Sequence, residues 1–149
     1  TKEGQYVSND RGRTWYLLTS HPDYQRATVV CPSRTEPGTI IAGADLVGIA
    51  RTTNSGATWE APSPGLTLIV LSIAIDPSDP EIMYAATFSA GVFKSVDAGV
   101  TWKHAGPDSG VVFHVAVDPV VHSTVYASTS LGVMRSDDSA ATWRLAGQD

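Results

Sequence analysis

Hydroxyl, carboxylate and indole groups recur in this chain at one fixed spacing, and such groups could serve catalysis, ligand binding or turn formation. They belong to the phrase Ser/Thr-x-Asp/Asn-x-Gly-x-Thr-Trp, which occurs four times, with alanine replacing the glycine in the last copy. The residues are Ser8, Asp10, Gly12, Thr14 and Trp15; Thr52, Asn54, Gly56, Thr58 and Trp59; Ser95, Asp97, Gly99, Thr101 and Trp102; and Ser136, Asp138, Thr142 and Trp143.

Turn formation explains this combination of residue types best. An Asp or Asn side chain can accept a hydrogen bond from the backbone two residues on, and a glycine can adopt a positive φ that other residues resist. The hydroxyls can satisfy the remaining turn groups, and each indole can contribute roughly 1.5–3 kcal/mol by burial over neighbouring strands. We expect the phrase to be structural rather than catalytic, with a strained or differently shaped turn at Ala140.

The rest of the sequence repeats with the phrase. Successive tryptophans are 44, 43 and 41 residues apart. Apolar strands ended by proline are predicted at 27–32, 72–77 and 114–119, an alignment that equates Cys31 with Asp76 and Asp118. Second strands are predicted at 39–43, 82–86 and 124–128, third strands at 48–51, 91–94 and 132–135, and a fourth from each Thr-Trp. Four short strands per unit predict an all-β fold of β-propeller blades.

The phrase resembles the Asp-box, also called the bacterial neuraminidase repeat, and the unit from Ile73 to Trp102 is similar to the blade consensus of that superfamily. Related blades occur in sialidases, xyloglucanases, sortilin luminal domains and photosystem II assembly factors. The resemblance covers nearly the whole chain and implies a β-propeller fold. For function it implies little, since these proteins share blades and do unrelated things. It favours a secreted or periplasmic location.

Catalysis finds little support in the residues. A sialidase-like site needs an arginine cluster, a tyrosine–glutamate pair and an acid, and a xyloglucanase-like site needs two carboxylates across a cleft. Arg51, Lys94 and Arg135 fall at one position of the repeat, which predicts a solvated face of the third strand rather than a converging cluster. The four histidines, His21, His104, His114 and His122, show no metal-ligand spacing. We expect no catalytic residue, no metal site and no cofactor.

Two departures from the repeat are the candidates for a ligand face. His114 replaces Ser72 at the start of a first strand, the strand that lines the channel of a propeller, and Asp45 interrupts a turn where the other units have Phe88 and Ser130. Channel-lining strands and surface loops are where propellers bind partners. A hydrogen-bonded strand-end histidine and a turn-forming aspartate are the alternative interpretations.

The repeats divide the chain into about three and a half blades. Residues 1–23 supply a third and a fourth strand, and residues 24–68, 69–110 and 111–149 each supply a whole unit. Closed propellers have about four to eight blades. The expectation is either a segment of a longer protein or several copies that close a ring by strand pairing at their two ends.

Composition excludes some partners. Ten basic against 15 acidic residues give a net charge of −5, which offers no general attraction to nucleic acid or to anionic membranes. No apolar run approaches the length of a membrane span, and a single cysteine excludes an internal disulfide. The sequence therefore predicts a non-catalytic module that binds a protein or peptide on its channel face, or itself. The alternative is part of a glycan-active enzyme whose catalytic residues lie in other blades.

Overall fold

The computed structural model describes residues 5–8, 10–19, 27–44, 48–60, 68–108 and 110–147. These residues form no helix, so none of them builds a helix that could cross a membrane. The strands are β1 (Gln5–Val7), β2 (Tyr16–Thr19), β3 (Ala27–Pro32), β4 (Ile40–Ala44), β5 (Gly48–Thr52), β6 (Val70–Ile75), β7 (Met83–Thr87), β8 (Val92–Ser95), β9 (Lys103–His104), β10 (Val112–Val117), β11 (Val125–Thr129), β12 (Gly132–Ser136) and β13 (Arg144–Leu145).

The strands form four antiparallel sheets in which each strand pairs with the next one in sequence. Blade 1 is β1–β2, blade 2 is β3–β5, blade 3 is β6–β9 and blade 4 is β10–β13. Blade 2 adds one bridge, between Arg51 and Glu60, at the place of its fourth strand. The predicted all-β fold, a propeller segment of three to four blades, is confirmed. The unit boundaries given above stay predictions.

The first strands of blades 2, 3 and 4 lie side by side. Each of β3, β6 and β10 contains a β-bulge near its start, which bends and twists the strand. Across neighbouring blades, the Thr28 hydroxyl donates to the Val70 carbonyl, and the Ser72 hydroxyl accepts from the Val115 N–H at 3.4 Å. The blades therefore meet along these first strands.

The turn after each first strand corrects the predicted alignment. The residue that donates its N–H across this turn is Ser33 in blade 2, Asp76 in blade 3 and Asp118 in blade 4. The side-chain oxygen of each also accepts from the N–H groups two and three residues on. Ser33, not Cys31, is therefore equivalent to Asp76 and Asp118, because a serine or an aspartate side chain can supply the one acceptor oxygen that this turn needs. Cys31 lies within β3 opposite Ile41, and burial raises the pKa of its thiol.

The core lies between the blades. Successive residues of a strand point to opposite faces, so Met83 and Ala85 contact blade 2 while Tyr84 and Ala86 contact blade 4. β7 is consequently buried along its whole length. Between blades 2 and 3 lie Ile41, Ile49, Val70, Met83, Ala85 and Trp102, and between blades 3 and 4 lie Tyr84, Ala86, Val92, Val112, Val115, Val125, Ala127 and Ala140.

Two of the three basic residues of the third strands do not lie on the predicted solvated face. Lys94 is half-buried, with Nζ 2.9 Å from the Ser139 carbonyl of blade 4 and 5.5 Å from the ring centroid of Tyr84. The Arg51 side chain is only 18% exposed and pairs with Glu36 at 3.4 Å. The prediction is wrong for Lys94 and Arg51 because the next blade covers this face, while their long aliphatic stems carry the charged groups to its rim. Arg135, whose side chain is 37% exposed, lies on the face of blade 4 that no described blade covers.

Candidate functional site in the groove between blades 3 and 4

Each phrase forms the hairpin between the third and fourth strands of its blade. In blade 3, the Ser95 hydroxyl accepts from Gly99 N–H at 2.9 Å and donates to Asp97 Oδ1 at 2.7 Å. Asp97 then accepts from the Thr101 N–H at 2.8 Å and from the Thr101 hydroxyl. The other three copies repeat these four bonds, except that Asn54 donates to the Thr58 hydroxyl.

The reach of the acidic side chain differs from the sequence prediction. Its Oδ1 accepts from the backbone four residues on, not two. The Asp or Asn donates its own backbone N–H to the hydroxyl of the Ser or Thr two residues earlier, at 3.3–3.4 Å. The hydroxyl makes this short-range bond because it lies inside the turn. The Asp or Asn side chain is then left to bond the threonine that precedes the tryptophan.

Two successive residues of each turn adopt the left-handed conformation. In blade 3 they are Ala98 and Gly99, with φ of 54° and 82°, and in blade 4 they are Ser139 and Ala140, with φ of 58° and 71°. The turn at Ala140 therefore keeps the same shape. The left-handed conformation of this alanine is strained and costs about 1–2 kcal/mol. Its methyl group is buried between blades 3 and 4, which offsets roughly 0.8 kcal/mol of that cost.

The four tryptophans are equivalent in sequence but not in burial. Trp102 is 8% exposed and packs in the core between blades 2 and 3, as expected. Trp59 and Trp143 are half-buried. Trp15 is 61% exposed, so the predicted burial is wrong there. The indole of a blade packs toward the preceding blade, and the described residues contain no blade on that side of blade 1.

We expect Asp97→Ala to cost about 1–2 kcal/mol, because it leaves the Thr101 N–H and two hydroxyls without their acceptor. Asn54→Ala is the matched change in blade 2 and should cost less, since an amide oxygen is a weaker acceptor than a carboxylate. Urea denaturation of both variants measures the difference. A larger loss for Asn54→Ala would contradict this account of the turn.

The turn carboxylates predict a loss of stability in acid. Hydrogen bonds from the Thr14 hydroxyl and backbone lower the pKa of Asp10 to about 2, and those from Thr142 do the same for Asp138. Their stabilising effect is therefore complete above the unfolded pKa near 4 and is lost as pH falls through the folded pKa. Thermal melts from pH 6 to about pH 2 should show the midpoint falling mainly below about pH 4.

Substituting both carboxylates tests the origin of this pH dependence. Asn54 already forms the same turn with an amide, so the double variant Asp10→Asn, Asp138→Asn should fold. Its melting midpoint should change less between pH 6 and about pH 2 than that of the natural sequence. An unchanged acid sensitivity would place its cause in other carboxylates.

Of the two residues predicted for a ligand face, the structure describes only His114. His114 lies on β10 opposite Ser128 and is exposed. Its repeat equivalent Ser72, which lies opposite Ala86, is 4% exposed under blade 4. His114 thus lies on the face of blade 4 that no described blade covers. Asp45 lies outside the described residues.

A groove of about 730 Å³ lies between the outer part of blade 3 and the turn of blade 4. One wall is β9 with the loop 105–108, and the other is the turn 138–143. Two hydrogen bonds fix the walls: Trp143 Nε1 donates to the Ala105 carbonyl at 2.7 Å, and Lys94 Nζ donates to the Ser139 carbonyl at 2.9 Å. The cleft is therefore preformed, with the Trp143 indole in its lining.

The groove is lined by apolar side chains and by charged side chains of both signs. Lys103 is exposed on β9, and His104 lies 3.3 Å from Asp108 with its ring edge-on to Phe93 at 5.5 Å. β9 is the last strand of its sheet, so one side of its backbone faces no strand within the described ranges. Asp138 already accepts bonds within its own turn. The groove can thus offer edge-strand backbone, one lysine and an indole.

Sequence reasoning missed the groove residues, although one signal was present. A basic residue follows the third and fourth tryptophans, at Lys103 and Arg144. The groove itself needs two blades in contact, which a repeat alignment does not show. Among the described residues, no group of three or more His, Cys, Asp or Glu side chains could hold a metal ion.

Comparison with known proteins identifies the fold. No protein-family model and no curated protein matched the sequence. Among solved structures, an ancestral GH74 enzyme superposes with a TM-score of 0.85 at 26% identity, over 99% of this chain and 22% of that one. The fold is a partial β-propeller.

Two further structures agree on the fold. The GH74 xyloglucanase from Xanthomonas campestris gives a TM-score of 0.79 at 19% identity, over 100% of this chain and 28% of that one. YCF48 bound to D1 peptide gives 0.58 at 15% identity, over 71% of this chain and 36% of that one. This propeller segment therefore spans between 22% and 28% of the length of the two GH74 structures.

Proposed function

We propose that the chain is a non-catalytic propeller module that binds a protein partner. An extended segment of the partner lies in the groove between blades 3 and 4. The observation that carries this proposal is the preformed groove, which combines an edge strand, an indole and an exposed lysine. The channel face predicted from the sequence is not the proposed site, because His114 belongs to the uncovered blade face.

An extended peptide matches what the groove offers. Addition of a strand to a sheet edge gives affinity through main-chain hydrogen bonds, and pockets for alternate side chains give specificity. β9 supplies the edge, and Trp143 and Pro107 supply apolar contacts in the lining. Lys103 favours an acidic residue in the peptide. The structure of YCF48 with D1 peptide supports the idea that a propeller of related shape binds peptide.

A glycan-active protein is the second candidate, and the GH74 neighbours favour it. In that case the segment would belong to a larger propeller enzyme, with catalytic carboxylates in other blades. The indole of Trp143 would then contact a sugar ring. For either candidate we propose an extracytoplasmic location, secreted or periplasmic, which fractionation with a tagged chain would test.

Peptide display followed by calorimetry separates the candidates. We expect peptides with an acidic residue to be selected, and Lys103→Glu to weaken their binding by about three- to tenfold. Arg34→Glu makes the same charge change on an exposed residue of blade 2 and should leave affinity unchanged. Binding of xyloglucan oligosaccharides with no peptide selected would favour the glycan candidate and contradict the first.

A further inference from the structure

Blades 2, 3 and 4 carry a charged pair at one repeated place, where the third strand lies opposite the fourth. The pairs are Arg51 with Glu60 in blade 2, Lys94 with Lys103 in blade 3, and Arg135 with Arg144 in blade 4. Opposite charges at such a place attract, whereas like charges directly opposite each other destabilise a sheet. The two positive pairs therefore favour a negative group between their members.

In blade 4 the negative group belongs to the chain itself. The Asp137 carboxylate accepts from Arg135 Nε at 2.7 Å through Oδ1 and from Arg144 Nη2 at 3.1 Å through Oδ2. The hydrogen bond from Arg135 is the largest cause that lowers the pKa of Asp137. Blade 4 thus shows that a positive pair at this place binds one carboxylate, with one oxygen to each cation.

In blade 3 a valine stands where blade 4 has this aspartate. Val96 takes the place of Asp137 in the repeat, is 60% exposed, and lines the groove together with Lys94 and Lys103. Within the described ranges, no carboxylate lies at ion-pair distance from either lysine. The lysine pair therefore faces the groove without the counter-ion that described residues provide in blade 4.

The acidic side chains that line the groove have other partners. Asp138 accepts three hydrogen bonds within its own turn, and Asp108 lies 3.3 Å from His104. Lys94 Nζ donates one hydrogen bond to a backbone carbonyl of blade 4, and an ammonium group has three donors. Lys103 is exposed. Both ammonium groups can therefore donate to a ligand in the groove.

We propose that Lys94 and Lys103 together bind a carboxylate of the peptide in the groove, as Arg135 and Arg144 bind Asp137. This inference rests on the proposed peptide-binding function, and it adds Lys94 to Lys103 and states which ligand group is recognised. The carboxylate accepts a charge-assisted hydrogen bond from each ammonium group beside Val96, which fixes the position of the peptide along β9. An acidic side chain and a C-terminal carboxylate offer the same chemistry.

Val96→Asp gives blade 3 the carboxylate that blade 4 has, so it tests the lysine pair without a ligand. At low ionic strength, we expect its urea midpoint to exceed that of Val96→Asn, which has the same shape without the charge. The difference should shrink when Lys103→Gln is also present. Val100→Asp and Val100→Asn are the matched control, because Val100 is 45% exposed on the same turn but lies outside the groove lining. There the aspartate should give no increase over the asparagine.

Calorimetry with a selected peptide tests recognition. Binding to Val96→Asp should be about three- to tenfold weaker than binding to the natural chain, because the new carboxylate occupies the lysine pair. Replacing the acidic residue of the peptide with its amide should weaken binding to the natural chain by a similar factor. The same replacement should have little further effect with Val96→Asp, since both changes remove one contact. If amidation of the peptide C-terminus shows this behaviour instead, the bound group is the C-terminal carboxylate.

The outcomes separate this proposal from the proposed function. A peptide that protects the groove but binds the natural chain and Val96→Asp equally well overturns the carboxylate site and leaves the groove as a peptide site. Failure to select any peptide contradicts the proposed function, and the stability comparison then decides whether the lysine pair binds a carboxylate. A midpoint for Val96→Asp no higher than that of Val96→Asn, with both variants folded by circular dichroism, overturns the lysine pair as a carboxylate site.

Discussion

Replacing Tyr84 with alanine is expected to destabilise the chain by about 3–5 kcal/mol, the range for truncating a large buried aromatic side chain. Tyr84 is 0% exposed and belongs to the core cluster between blades 3 and 4 that also contains Val115 and Val125, and the Lys94 ammonium lies 5.5 Å from its ring centroid. Its removal opens a cavity at the centre of the interface between two blades. Urea denaturation at a concentration at which the chain is monomeric measures the change.

Tyr126→Ala is the matched control because Tyr126 holds the same position in blade 4. It lies on the face of blade 4 that no described blade covers and is only partly buried, so we expect its loss to cost about 1 kcal/mol in the monomer. The contrast between the two variants reports how much of the stability comes from contact between blades. Equal losses for Tyr84→Ala and Tyr126→Ala would mean that each sheet is stable independently of its neighbour.

Gly99→Ala is the second large effect, at about 2–5 kcal/mol. Gly99 has a φ of +82°, which costs a residue with a side chain about 1–2 kcal/mol. A Cβ at this position would also lie 2.9 Å from Ile41 Cδ1 and 3.4 Å from the Met83 sulfur, in the core between blades 2 and 3. Overpacking of this kind adds about 1–3 kcal/mol.

Gly12→Ala separates the two causes. Gly12 has a similar φ of +85°, but the nearest atom to a Cβ there is Trp15 Cζ2 at 3.9 Å. Only the backbone term should remain, at about 1–2 kcal/mol. Thermal or urea melts of both variants give the comparison, and a cost for Gly12→Ala equal to that of Gly99→Ala would show that contact with blade 2 does not matter.

The fold could be predicted from the sequence because each blade repeats its own local signals. The spacing of the tryptophans and the alternation of the strands predicted four-stranded blades, and blades 3 and 4 have four strands each. The details that failed depend on contacts that a repeat alignment does not contain. Ser33 replaces an aspartate by supplying the same acceptor, and Cys31 was misaligned because a proline follows it within the strand.

The site was harder to predict because it depends on which blade faces are covered. The sequence alone predicts that Lys94 lies at the surface. Packing of the neighbouring blade brings its ammonium into contact with the Ser139 carbonyl of blade 4. Trp15 and Trp102 have the same local sequence pattern but differ in exposure, because the described residues place a blade in front of Trp102 only. The groove beside Trp143 forms only when blades 3 and 4 pack together.

The proposed binding function is tested most directly by amide hydrogen exchange with and without a selected peptide. If the peptide adds to the edge of blade 3, protection should rise at Lys103 and His104 and in the turn from Ser139 to Trp143, where the two walls of the groove lie. The first strands β3, β6 and β10 should be unchanged. Protection confined to those three strands, with none at β9 or at the blade 4 turn, would place the partner on the channel face and contradict the groove as the binding site.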